Sequence, residues 1–215
     1  YRAVARNYPG SRFASRAAYE IMVTHFKRGE HEKVLAAAPA QPEPANEADV
    51  LWMRAEAERA LGRTDLARGR YETLVKQLPK SSQAAPALLR LGEVAREEAG
   101  RLEEAAGLFR RVADDYPKNE AVSEALKASA LARSRAGDPE GALADWEALL
   151  AGKPDAAVAA EARLQKALVQ IELKKSGAAL QTLDALLGER AGGEQAARAH
   201  YWRGGLLPEK AKWAG

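Results

Sequence analysis

Four alanines, Ala67, Ala105, Ala142 and Ala179, stand 38, 37 and 37 residues apart, and four places after each comes a large apolar residue: Tyr71, Phe109, Trp146 or Leu183. Two further markers keep the same step. Gly62, Gly100 and Gly137 each precede an alanine by five residues, and Pro79, Pro117 and Pro154 recur at intervals of 38 and 37. A unit of this length cannot bury an apolar face by itself, so a chain that repeats it is confined to architectures in which each copy packs against the next.

The spacing inside the unit predicts two helices. In the third unit Leu88, Leu91, Gly92 and Ala95 recur at i, i+3, i+4 and i+7, the stripe of an amphipathic helix A running from about Pro86 to Ala99. Helix B follows over 102–116. Gly100 suits the left-handed backbone that closes a helix, Pro117 has no amide with which to continue one, and Tyr116 before it is pushed out of helical geometry. Gly92 and Ala105 are the small residues that let paired axes approach closely. Alanine, leucine, glutamate and arginine dominate and strand-favouring residues are sparse, so no sheet is expected. The predicted fold class is all-α, a right-handed superhelical solenoid of antiparallel helix pairs forming one domain over 1–215. Its five hairpins fall at about 14–38, 48–78, 85–116, 122–152 and 159–188, with half-hairpins at 1–8 and 194–207. The first hairpin is irregular: Val34 takes the place of the key alanine, helix B is short, and a long loop, PAQPEPANEA (39–48), follows it.

The 33 Lys and Arg are interleaved with 30 Asp and Glu, for a net charge of +3. No basic stripe with stacking aromatics, of the kind that holds nucleic acid, is present. With no cysteine in the chain, disulfides, thiolate metal sites and cysteine nucleophiles are excluded, which suits the periplasm and the cytosol alike. No apolar run approaches the roughly 20 residues that span a bilayer. The sequence begins at Tyr1, in what reads as the end of a helix; this is expected of a fragment or a processed chain, so a missing leader is uninformative.

No catalytic constellation emerges. His25 and His31 flank the turn at Gly29 and His200 is remote, so no metal-ligand spacing such as His-Glu-x-x-His exists. Gly192-Gly193 lacks the Lys-Ser/Thr and the preceding strand of a phosphate loop. Glu97-Glu98, Glu103-Glu104 and Asp114-Asp115 fall at helix ends or on polar faces, where solvation and the helix dipole account for them. Neither an enzyme, a metal nor a cofactor is expected.

Leu91-Gly92, then Gly100, Ala105 and Phe109, then Pro117 together resemble the tetratricopeptide repeat, and the resemblance extends over essentially the whole chain. This unit runs 37 or 38 residues where that family has about 34, the extra residues following the proline, and the family's helix A tryptophan is absent from the central units. The spacers Tyr8-Pro9-Gly10-Ser11 and Tyr116-Pro117-Lys118-Asn119 are expected to place a polar cap on the next helix and a tyrosine under the turn. They are similar to those of bacterial envelope members, such as the lipoprotein of the outer-membrane barrel assembly machinery and the periplasmic partner of the Tol-Pal system. The resemblance implies a non-catalytic scaffold, periplasmic or outer-membrane associated, that binds other proteins.

In that family helix A lines the ligand groove. Carried onto this chain, the resemblance implies Tyr19, Val23, Phe26, Trp52, Glu56, Arg59, Leu89, Glu93, Arg96, Lys127, Leu131, Arg135, Leu164, Leu168 and Ile171. These make an apolar groove with an Arg-Glu fringe, suited to a partner helix or extended peptide. The lysine and asparagine clamp with which some members hold a terminal carboxylate is missing. The alternative reading is the helical, non-catalytic region of a larger enzyme, for example a murein-cleaving one, or of a secretion or pilus subunit. Open ends would also allow self-association by stacking.

Overall fold

The structure is a computed structural model and describes residues 1–7, 11–188 and 193–207. Among these are twelve α-helices, one short 3-10 turn and no strand. The helices are α1 (Arg2–Asn7), α2 (Arg12–Lys27), α3 (His31–Ala37), α4 (Glu47–Ala60), α5 (Thr64–Gln77) and α6 (Ala84–Glu97), followed by α7 (Leu102–Asp115), α8 (Val122–Ala136), α9 (Pro139–Ala151), α10 (Ala156–Glu172), α11 (Ser176–Gly188) and α12 (Gly193–Leu206). The chain divides into two compact units, Tyr1–Val94 and Ala95–Gly215. In the first, each helix from α1 to α4 packs on its successor and α2 also meets α4; in the second, each helix from α7 to α11 does the same and α10 also meets α12. Nearest-neighbour packing of this kind is what the repeat demands.

Every hairpin turn contains one residue in the left-handed conformation: Gly29, Gly62, Gly100 and Gly137, with φ of 68, 74, 78 and 81°, and then Lys174, with φ of 59°. Lys174 follows Gly137 by 37 residues, so it continues the glycine series without being a glycine. Its Cβ crowds the following carbonyl there, at a cost of about 1–2 kcal/mol.

Five residues after each turn stand Val34, Ala67, Ala105, Ala142 and Ala179, all fully buried. Four places further on, Tyr71, Phe109, Trp146 and Leu183 are at most 1% exposed. Trp146 lies in a cluster with Leu126 and Ala130 of α8, Ala142 and Leu149 of α9, and Ala162 and Val169 of α10. Leu183 joins Leu164 and Ala167 of α10 to Ala199 of α12. A small residue thus seats helix B on its own helix A, and the large one reaches the next hairpin.

In the first hairpin α3 stops after seven residues. Pro39 disfavours helical geometry at the residue before it, and Ala38 accordingly turns extended, with ψ of 128°. The starts of α2, α9 and α10 are capped by side chains. The Ser11 hydroxyl oxygen accepts from the amide of Ala14 at 3.2 Å, and the Asp138 and Asp155 carboxylates accept from the amides of Gly141 and Val158 at 2.9 Å each.

Two expectations need correction. Asn119 does not cap α8: its side-chain oxygen accepts from Ala121, two residues on, making a local turn ahead of a helix whose own first residue is Val122. The third helix A begins at Ala84 and ends at Glu97, two residues earlier at each end, because Pro86 is tolerated in a first turn whose amides have no helical partner to lose. In the first spacer, Tyr8, Pro9 and Gly10 lie outside the described residues, as does Gly192.

Enlarging the seat should force the helices apart. Ala142→Leu is expected to lower stability by about 1–3 kcal/mol in urea unfolding, and an unchanged midpoint would contradict the packing described. Lys174→Gly is expected to raise stability by about 0.5–1 kcal/mol by relieving the left-handed lysine; a loss would show that the lysine side chain contributes more than its backbone costs.

Candidate interaction site

In the first unit, α4 presents Asp49, Trp52, Glu56 and Arg59 at successive steps of three, four and three, which places them on one stripe of the helix. Each polar member is tied to a neighbour. Asp49 accepts from the Tyr19 hydroxyl of α2 at 3.1 Å and from the Gln83 amide, just before α6, at 2.9 Å. Two turns on, Glu56 accepts from the hydroxyl of Tyr71, from Arg59 at 3.3 Å and from Arg90 at 3.1 Å, and Arg90 continues to Glu93 at 2.8 Å. Burial, then the hydrogen bond to Glu56, pushes the Tyr71 phenol far above its ordinary pKa. The Tyr19 phenol is raised as well, by burial and by Asp49. Between the two carboxylates Trp52 is half-buried, its ring 5.7 Å from that of Tyr71 and tilted against it.

The remaining expected residues separate by environment. Tyr19, Val23, Phe26 and Trp52 are partly buried against a core of Met22, Val34, Val50, Met53 and Ala57. Leu89 and Glu93 are half-buried. In the second unit Arg96 is exposed, its guanidinium carbon 5.9 Å from the centre of the Phe109 ring. Lys127 of α8 pairs with Glu161 of α10 at 2.6 Å. Leu131, Leu168 and Ile171 are half-buried and Arg135 is exposed. Leu164 is different: at 1% exposure it lies in the core beneath α11 and α12, so it supports the fold and offers no surface to a ligand.

The sequence reading named Trp52, Glu56 and Arg59 but not Asp49, Gln83 and Arg90. Their signal was a separation: Asp49 to Gln83 and Glu56 to Arg90 are both 34 residues, as is Lys127 to Glu161. The last two join one helix A to the next, and the first joins α4 to the residue just before α6.

A second pattern escaped it altogether. In three hairpins a polar pair twelve residues apart bridges helix A to helix B at the same level. Glu58, 3% exposed, receives Arg70 through two bonds of 2.5 and 2.8 Å. Asp145, 1% exposed, lies 3.0 Å from Arg133, accepts from Arg110 at 2.8 Å and from the Ser129 hydroxyl at 2.5 Å. The third is neutral, with the Thr182 hydroxyl donating to the Gln170 side chain at 2.8 Å. Desolvating a carboxylate this deeply is tolerable only with its cation in place. Glu58→Leu alone is therefore expected to cost about 3–5 kcal/mol, and adding Arg70→Leu to return most of it. Equal unfolding midpoints for the single and double variants would contradict the pairing.

The histidines do not converge on a reactive arrangement. His25 is buried and bonds Glu30, which also receives Lys33 at 3.0 Å; the His25 bond, with Lys33, holds the Glu30 carboxyl below its usual range. Among the described residues no group of three or more His, Cys, Asp and Glu side chains is placed to hold a metal ion, and no helix is long and apolar enough to cross a membrane. The arrangement can do what half-buried aromatics and prepaired charges do, which is to dock another polypeptide.

No curated protein sequence shows significant similarity to the chain. The fold has solved relatives. A MamA protein of AMB-1 superposes with a TM-score of 0.62 at 14% identity, covering 87% of this chain and 98% of that one. A tetratricopeptide repeat protein from Parabacteroides merdae gives 0.54 at 16% identity, with 98% and 78% covered, and pilF of Pseudomonas aeruginosa gives 0.53 at 20% identity, with 89% and 82%. At these identities the likeness is one of fold. The sequence model of the tetratricopeptide repeat matches residues 53–120 and 127–194, which covers α5 to α7 and α9 to α11 in full, so the chain belongs to the tetratricopeptide repeat family.

Proposed function

We propose that this chain is a non-catalytic scaffold of a bacterial cell-envelope assembly, periplasmic or attached to the outer membrane, which holds a partner's helix or extended segment on its helix A faces. Repeats of this family mediate protein–protein interaction, and the α4 stripe carries the reading for this chain. Trp52 stands half-buried between Asp49 and Glu56, both already satisfied by Tyr19, Gln83, Tyr71, Arg59 and Arg90. A partner can cover such a surface without leaving either carboxylate short of hydrogen-bond donors, and a rigid tryptophan beside arginines is the composition that most often anchors an interface. The envelope setting rests on the tyrosine-proline spacers and is consistent with a chain that has no cysteine.

Trp52→Ala is expected to reduce capture of partners from a cell-envelope extract at least tenfold, while lowering the melting temperature by only about 2–4 °C, as for a loss of ~1 kcal/mol in a chain of this size. Undiminished capture, or a collapse in stability that accounts for the loss, would contradict the role given to Trp52. Partners recovered solely from the cytosolic fraction would contradict the compartment.

A further inference from the structure

The first hairpin breaks the pattern that the other four keep. Four places after Val34, where the others bury Tyr71, Phe109, Trp146 or Leu183 to within 1% exposure, stands Ala38, already outside the helix. α3 has 7 residues where α5 and α7 have 14. In an antiparallel hairpin the second half of helix B lies against the first half of helix A. Along that first half of α2, from Ser11 to Ile21, there is an open pocket of about 670 Å³, closed on its other sides by the end of α3 and the loop that follows. The space left by the absent turns is thus unfilled by the chain's own side chains.

We propose that this pocket is a second docking site, taking one aromatic side chain of a partner segment that carries a lysine or arginine beside it. Its apolar side chains are Ala14, Ala18 and Ile21 from α2 and Ala37 and Ala38 from the end of α3, with polar surface added by Ser11, Ser15 and the loop. None reaches the centre, so a large ring completes the packing that Tyr71 or Trp146 supplies elsewhere. Among the described residues Glu43 is the one charged member of the lining, and its carboxylate has neither an ion pair nor a hydrogen bond there. A cation next to the ring supplies that partner. The rim is preformed: the Ser15 hydroxyl donates to the Gln41 carbonyl at 3.0 Å, and Pro39 and Pro42 stiffen the loop. The site faces away from the helix A stripe, about 120° around α2 from Tyr19, Val23 and Phe26, so it stands or falls apart from the function proposed above.

The test is selection of a random dodecapeptide library on the intact protein, followed by affinity measurement on variants. Selected peptides should carry an aromatic residue next to a lysine or arginine, bind Ala38→Trp at least tenfold more weakly, and bind Trp52→Ala unchanged. Glu43→Lys, which leaves the apolar walls intact whether or not Ala38→Trp folds, should turn the preference toward acidic neighbours. The proposal is overturned if no peptide is selected, if the peptides lack an aromatic residue, if Ala38→Trp binds them as well as the parent while melting normally, if Glu43→Lys keeps the basic preference, or if Trp52→Ala alone abolishes binding.

Discussion

One small side chain, seated five places after a left-handed turn, decides how closely the two helices of each hairpin approach. At Ala67, Ala105, Ala142 and Ala179 nothing of that side chain is left exposed. A methyl group permits close approach of the axes, and close approach turns the residue four places later toward the next hairpin. Trp146 shows the consequence, since its cluster draws on three consecutive helices. Full burial of such a side chain contributes about 1.5–3 kcal/mol, but only if the seat before it stays small. The turn, the seat and the large residue are therefore one device repeated, and the period of the sequence is the distance between its copies.

Apolar nesting alone would let a helix A pair with the wrong helix B, because the seats are alike. The polar pairs at one level of the hairpins oppose this. Glu58 faces Arg70 in one hairpin and Arg133 faces Asp145 in another, with the signs exchanged. Pairing α4 with α9 would set Glu58 against Asp145, and pairing α8 with α5 would set Arg133 against Arg70. Like charges buried together are far costlier than a lost contact, so these residues contribute more to correct pairing than to net stability.

Much of this was legible in the spacing of Ala, Gly and Pro, because those residues act through the backbone or through lack of bulk, and both effects are local. Gly62, Gly100 and Gly137 announced their turns; Lys174 did not, since nothing about a lysine signals left-handed geometry until the series of turns is seen around it. Ser11 capped its helix as its position suggested, whereas Asn119 used its side chain one turn early. Trp52, Glu56 and Leu131 are half-buried, but Leu164 is sealed in the core, because α11 and α12 cover α10 at that level and helical periodicity cannot report what lies above a face. Asp49, Arg90 and Asp145 are ordinary acidic and basic residues in the sequence; only their partners 34, 35 or 12 residues away make them distinctive.

The central physical claim is that helix B is held by its seat and its large residue together, and that the first hairpin lacks the second of these. Amide hydrogen exchange, followed by mass spectrometry on the intact chain, reads this directly. Segments 64–77, 102–115, 139–151 and 176–188 should exchange slowly, and 38–46, whose only helical element is one 3-10 turn, should exchange faster than any of them. Protection of 38–46 equal to that of 64–77, or exchange of the four helix B segments as fast as that loop, would contradict it.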